Sequence, residues 1–108
     1  MGNRRVAHRF PLELPVQVRV TASGSSARVP GTTRDISRTG LYFFSAQRLH
    51  AGSDVEVVLT LPPKILPRGE AQVRCRCRVV RVEAPANGKP ASGVAATIDD
   101  YDFLSSPR

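Results

Sequence analysis

The chain has 108 residues, enough for one domain with a modest core and too few for two. No segment approaches the roughly 20 apolar residues of a membrane-spanning helix, and the amino terminus lacks the apolar run of a secretion signal, so we expect a soluble, cytoplasmic protein. The net charge of +7 comes mostly from 14 arginines, and guanidinium groups favour an anionic partner because they pair with phosphate and stack on flat rings.

Short alternating segments separated by turn residues predict an all-β domain. From Leu12 to Val20 every even position is apolar, as in a strand with one buried face. A Gly/Ser-rich loop leads to a return segment over residues 29–37. If these two strands pair antiparallel, the start of the first lies beside the end of the second. Four further strands are predicted at residues 41–46, 55–61, 71–83 and 93–98.

The clearest strand covers residues 71–83 and contains both cysteines. Cys75 and Cys77 are two residues apart on one face, too far apart for an easy disulfide and too few for a zinc site, so we interpret them as small core residues. The alternation breaks at residues 79–80, which predicts a β-bulge or a strong bend. The opposite face is basic. We interpret it as the solvated outside of a barrel, with a surface for an acidic partner as the alternative (Arg74, Arg76, Arg78 and Arg81).

Six short strands without a helical period predict a small sandwich or barrel. Of the two, a six-stranded antiparallel β-barrel is favoured, because closure buries one face and removes exposed edges. We expect residues 1–10 to form a flexible arginine segment and residues 11–98 to form the barrel. Residues 99–108 are expected to form a tail with a short helical turn over 99–104.

An arginine-rich motif precedes the first strand. Arg5 and Arg9 are four residues apart, and Arg4 adjoins them. At this spacing two guanidinium groups can approach a ligand from different sides, gripping phosphate oxygens or donating to the acceptor pair on the Hoogsteen edge of guanine. Taken alone, the spacing is better explained by a basic tail in solvent. His8, inside the motif, is better explained as a solvated filler position than as a ligand contact.

A second polar motif, Asp-Ile-Ser-Arg-Thr-Gly, ends the second strand at residues 35–40. Asp35 can accept hydrogen bonds from the ring N–H and exocyclic amine of guanine, and Ser37, predicted on the same strand face, can both donate and accept. Gly40 would supply a positive-φ turn or let a ligand approach the backbone. Taken alone, an ordinary turn explains this motif better. Two such motifs at one edge of the fold favour a binding site instead.

Together the motifs resemble the PilZ domain over residues 4–98: RxxxR, then Phe10-Pro11, a strand, and DxSxxG. The resemblance implies a six-stranded β-barrel that acts as a receptor for the bacterial second messenger cyclic di-GMP. One departure concerns packing near the ligand: Gly93-Val94 leads into Ala-Ala-Thr, where the family often has a large aromatic residue.

The resemblance also implies roles for individual residues. Arg5 and Arg9 would bind guanine and phosphate, and Arg4 is a secondary candidate beside them. The second motif would form the loop that completes the pocket, through Asp35, Ser37 and Gly40.

The expected function is a cyclic di-GMP receptor that orders its leading segment on binding and signals to a separate protein partner, with no cofactor or metal. No catalytic triad, phosphate loop or paired carboxylates stand out, so we do not expect an enzyme. One alternative is a basic barrel that binds single-stranded nucleic acid, although the chain has few aromatic residues to serve as platforms. The other is a protein-binding adaptor without a ligand.

Overall fold

The computed structural model describes residues 10–21, 28–61, 71–85 and 90–104. None of these residues belongs to a helix long and apolar enough to cross a membrane. β1 has only two residues, so the six longer strands correspond to the six predicted from the sequence. In chain order the strands are β1 (Phe10–Pro11), β2 (Pro15–Val20), β3 (Val29–Ile36), β4 (Gly40–Ser45), β5 (Asp54–Leu61), β6 (Ala71–Glu83) and β7 (Ser92–Phe103).

The six longer strands close into a barrel. The order of the sheet is β1-β3-β2-β5-β6-β7-β4, and β3 also pairs with β4, which joins the two ends of the sheet. Every pairing is antiparallel. The predicted six-stranded antiparallel barrel is confirmed, and closure explains why such short strands can bury one continuous core.

The core fills the inside of this barrel with small and branched side chains. Cys75 and Cys77 are buried there without a disulfide, as predicted. Burial raises the pKa of the Cys75 thiol to about 11, and burial, with Cys75 and Asp99 nearby, raises that of Cys77 further. The largest fully buried side chains come from all six longer strands, among them Val16, Val18, Leu41, Phe43, Val55, Val57, Val79 and Val94.

The outer face of β6 carries the basic ridge that the sequence predicts. Its arginines pair with carboxylates of neighbouring strands: Arg74 with Asp102 at 3.2 Å, Arg76 with Asp100 at 3.5 Å and Arg78 with Asp54 at 3.3 Å. The solvated outer face is therefore confirmed, and much of its positive charge is balanced within the domain. The register of β6 against β7 shifts at residues 79–81, which confirms the predicted bulge.

The helical turn predicted over residues 99–104 is wrong, because β7 continues as a strand to Phe103. The long β6 offers an edge for these residues, and its register pairs Val73 with Phe103 and Cys75 with Tyr101. The N–H of Leu104 also donates to the Gln72 carbonyl at 2.9 Å. Tertiary pairing thus overrides the local preference of an acidic tail for a helix start.

Candidate functional site

The short strand β1 lies at one edge of the barrel, beside the start of the second polar motif. β1 pairs antiparallel with the end of β3, which places Phe10 opposite Ile36 and Pro11 opposite Asp35. The predicted proximity of the first strand's start to the second strand's end is therefore confirmed. Arg9 directly precedes Phe10 in the chain, so the arginine motif joins the described residues at this edge. Three arginines of this segment lie outside the described residues: Arg4, Arg5 and Arg9. His8 lies outside them as well.

A short irregular stretch joins β1 to β2 and keeps both beside β3. The N–H of Leu12 donates to the Arg34 carbonyl at 3.0 Å, and the N–H of Thr33 donates to the Leu14 carbonyl at 2.9 Å. The fully buried Thr33 hydroxyl accepts from the Leu14 N–H at 2.8 Å and donates to the Leu12 carbonyl. This one side chain adds two hydrogen bonds to the backbone pairing where the strand predicted over residues 12–20 is interrupted.

A β-bulge in β3 decides which way Asp35 points. Thr33 pairs with Phe43, whereas the next residue in register with β4 is Asp35, opposite Tyr42, so Arg34 is the extra residue. Thr33 and Phe43 face the barrel interior. Without the bulge Asp35 would face the interior as well. With it, the carboxylate lies on the outer face beside Tyr42, although Asp35 as a whole is only 9% exposed.

Ser37 builds the turn between β3 and β4. Its hydroxyl oxygen accepts from the N–H of Thr39 at 3.2 Å and of Gly40 at 3.1 Å, and its own N–H donates to the Gly40 carbonyl at 2.8 Å. Ser37 is buried, and its hydroxyl is also within 3.2 Å of the Gly40 carbonyl, to which it donates. The ordinary Ser turn is therefore present, and any contact of Ser37 with a ligand stays a prediction.

Gly40 is required for packing and not for a left-handed backbone. Among the described glycines only Gly52 has a positive φ, of 92°, so the positive-φ interpretation of Gly40 is wrong. A Cβ at Gly40 would lie 2.9 Å from the carbonyl oxygen of Ala96, because β4 and β7 approach closely there. A neighbouring strand makes this close approach, and the approach of a ligand to the backbone at Gly40 stays a prediction.

A charged and aromatic group on the outer face surrounds Asp35, and sequence reasoning missed it. We call it the Arg34 cluster: Arg34, Asp35, Tyr42, Arg81 and Glu83. The Nε of Arg34 donates to Oδ2 of Asp35 at 2.8 Å, and the guanidinium carbon lies 3.8 Å from the centre of the Tyr42 ring. The Tyr42 hydroxyl donates to Glu83, which also accepts from Nε of Arg81 at 3.0 Å.

The electrostatics of the Arg34 cluster are mutually stabilising. The hydrogen bond to Asp35 raises the pKa of Arg34, and burial followed by the hydrogen bond to Glu83 raises that of Tyr42. The pKa of Glu83 is lowered, first by the hydrogen bond from Tyr42 and then by that from Arg81. Only the adjacency of Arg34 and Asp35 could have suggested this cluster, because Tyr42 and Glu83 join it through strand pairing.

The Ser37–Thr39 turn also borders a large apolar cavity at one end of the barrel, with a volume of about 970 Å³. Tyr101 and Phe103 lie at its rim, 58% and 61% exposed. Most of its other lining is aliphatic: Leu12, Ile36, Leu59, Leu61 and Val73. A ligand with two phosphate charges is better matched by the polar outer edge at Asp35 than by this cavity.

A closed antiparallel barrel with a polar turn beside β1 defines a small antiparallel β-barrel domain. The family model of the PilZ domain matches residues 3–102, and the chain belongs to that family. The match includes both motifs. PilZ domains are ligand-binding rather than enzymatic, and their known role is to bind cyclic di-GMP.

A solved structure supports the same fold. The chain superimposes on the Bacillus subtilis inhibitor of motility, MotI/DgrA, with a TM-score of 0.73 over 91% of its own length at 16% identity. It spans 44% of that chain, so the likeness concerns the fold of less than half of MotI/DgrA. A search of curated proteins gave no match.

Proposed function

We propose that this chain is a receptor for cyclic di-GMP, which binds at the edge formed by β1 and the Asp35–Gly40 turn. The observation that supports it best is the pairing of β1 with the end of β3, Phe10 with Ile36 and Pro11 with Asp35. Because Arg9 directly precedes Phe10 in the chain, only a short length of chain separates this pairing from the RxxxR motif. The family's known role and the net charge of +7 agree with an anionic dinucleotide ligand.

Each group has a distinct task in this proposal. The outward carboxylate of Asp35 accepts from the ring N–H and the exocyclic amine of guanine. Arg5 and Arg9 contact the phosphates and the Hoogsteen edge, with Arg4 as a secondary contact. Ser37 and Gly40 hold the turn in the shape that presents Asp35.

Ligand binding changes the surface of the domain, and a separate protein in the cytoplasm recognises the changed surface. Three cationic side chains, Arg4, Arg5 and Arg9, repel one another when no ligand is present. Two phosphate charges neutralise them and draw the leading segment against the Asp35 edge. The partner then binds a surface composed of that segment and the barrel.

Calorimetric titration with cyclic di-GMP tests this assignment. We expect Arg5→Ala and Arg9→Ala each to lose about 2 kcal/mol of binding free energy, roughly thirtyfold in Kd, because each removes charge-assisted hydrogen bonds. The matched control is Arg76→Ala, which removes the same charge from the exposed pair with Asp100. Binding of both motif variants at wild-type strength would show that the ligand lies elsewhere. The stoichiometry distinguishes one ligand from a stacked pair.

Single-stranded nucleic acid is the second candidate because Tyr101 and Phe103 are exposed and could stack with bases. The same stretch of β7 carries Asp99, Asp100 and Asp102, and these carboxylates would repel a phosphate backbone. An oligonucleotide titration at matched salt separates the two candidates. Binding of the oligonucleotide together with a flat cyclic di-GMP titration would favour nucleic acid. A folded protein that binds neither would favour the protein-binding adaptor.

A further inference from the structure

Arg34 is held in place more firmly than an exposed arginine usually is. Its side chain is 54% exposed, yet the Nε atom donates to Oδ2 of Asp35 at 2.8 Å and the guanidinium lies on the Tyr42 ring, 3.8 Å from its centre. Arginine satisfies a carboxylate and an aromatic face at once because its guanidinium is planar. The bulge in β3 puts Arg34 and Asp35 on the same outer face, which makes both contacts possible.

The aromatic base under Arg34 is itself fixed. Tyr42 is only 4% exposed, and its hydroxyl donates to Glu83. Its ring lies against the backbone of Gly93, where a Cβ would collide with the ring and its hydroxyl. Arg81 holds Glu83 from the other side at 3.0 Å. Each member of the Arg34 cluster thus restrains the next, and this chain of contacts includes the Asp35 carboxylate.

We propose that Arg34 is a positioning residue for guanine recognition. Packed on the Tyr42 ring, it holds the Asp35 carboxylate in the orientation in which its two oxygens face the ligand. This inference rests on the proposed cyclic di-GMP function. Guanine presents its ring N–H and its amine side by side, so a carboxylate accepts both only in one orientation. The two oxygens of a carboxylate offer about four acceptor sites, so the one hydrogen bond from Arg34 does not by itself exhaust them.

A ligand analogue makes this role measurable. Cyclic di-IMP has the same phosphates and ring N–H as cyclic di-GMP but lacks the exocyclic amine. We expect wild-type protein to prefer cyclic di-GMP by about tenfold or more, because the analogue leaves an acceptor unpaired. Arg34→Ala should weaken cyclic di-GMP binding by about tenfold and cyclic di-IMP binding much less, so that the preference falls. A fold defect, or loss of a phosphate contact, would weaken both ligands equally and would overturn the proposal.

A double-mutant cycle tests whether Arg34 acts through Asp35. In the Asp35→Ala background, Arg34→Ala should cause no further loss of cyclic di-GMP affinity. A full additional loss would mean that Arg34 contacts the ligand itself, and the positioning role would be wrong. Arg34→Lys should restore only part of the preference for cyclic di-GMP, because an ammonium group keeps the charge but not the planar contacts. Full recovery in this variant would contradict the positioning role.

Two controls separate this inference from the proposed function. Arg76→Ala removes one exposed cation that pairs with Asp100 and should leave both affinities and their ratio unchanged. A change of the ratio in this control would remove the argument for Arg34. If wild-type protein binds neither dinucleotide, the proposed function fails, and this inference fails with it. If wild type binds with a clear preference that Arg34→Ala leaves intact, only the inference fails.

Discussion

At the scale of single residues, the candidate site depends on one inserted amino acid. Arg34 is the bulged residue of β3, and its insertion moves Asp35 from the interior face to the outer face. Ser37 and Gly40 then close the turn through hydrogen bonds and a tight backbone approach to Ala96. A motif that reads as three ligand contacts therefore contains at least two residues that shape the turn.

The contact between Tyr42 and Glu83 gives a pH-dependent prediction at this scale. Its hydrogen bond lowers the pKa of Glu83, so its stabilisation is present above 4.5, the ordinary pKa of this carboxyl, and is lost as the pH falls through the lowered value. Tyr42→Phe removes that hydrogen bond. We expect the variant to unfold at lower urea concentration than wild type at pH 7, and the difference to shrink in acid.

Urea unfolding followed by circular dichroism at several pH values measures this effect. Arg76→Ala serves again as the control, because its ion pair with Asp100 does not involve Glu83. A gap between wild type and Tyr42→Phe that stays constant as the pH falls below 4.5 would show that the hydrogen bond to Glu83 is not its source.

At the scale of secondary-structure elements, the junction between β1 and β2 is the part most specific to this site. Pro15 cannot donate a backbone hydrogen bond, and the strand pattern is interrupted just before it. The Thr33 hydroxyl bridges this interruption by pairing with backbone groups of Leu12 and Leu14. One buried side chain therefore reinforces the backbone pairing that attaches β1 and the following residues to β3.

Replacement of Thr33 tests this attachment. Thr33→Val keeps the shape of the side chain but leaves a backbone N–H and a carbonyl without that partner, which should cost about 1–3 kcal/mol of unfolding free energy. Thr33→Ser keeps the hydroxyl and should lose less, mainly through one buried methyl group. Chemical denaturation of the two variants beside wild type checks the order. Equal losses in both variants would show that packing, and not hydrogen bonding, holds the junction.

At the scale of the whole molecule, the two cysteines inside the barrel can be used to measure global unfolding. Cys75 and Cys77 are each 2% exposed, and burial raises the pKa of Cys75 to about 11. The thiolate is the reactive form, so neither cysteine should react with iodoacetamide at neutral pH while the barrel is intact. Both should react fully in concentrated urea. Rapid labelling of the native protein would show that the barrel opens locally near β6.

The same labelling experiment links stability to ligand binding. A ligand that binds only the folded state adds a stabilisation of about 2.7 kcal/mol at a concentration of one hundred times its Kd. If labelling requires global unfolding, cyclic di-GMP at that concentration should slow it about a hundredfold. An unchanged rate with a ligand that binds by calorimetry would mean that labelling proceeds through local opening.

Much of this architecture can be predicted from the sequence, because alternation is a local property of a strand with one buried face. The strand predicted over residues 71–83 has the same first and last residues as β6. The bulge at residues 79–81 follows from a break in the alternation of this strand. The tail could not be predicted in this way. Asp99, Asp100 and Asp102 resemble a helix start until β6 supplies Arg74 and Arg76 as cross-strand partners.

The sequence by itself determined an all-β barrel, its buried cysteines and the two polar motifs, since each depends on residues that are close together in the chain. Only the tertiary structure decided the direction of Asp35, the role of Gly40 and the Arg34 cluster. Those features depend on the register between strands far apart in the chain, and a shift of one residue sends a side chain to the opposite face.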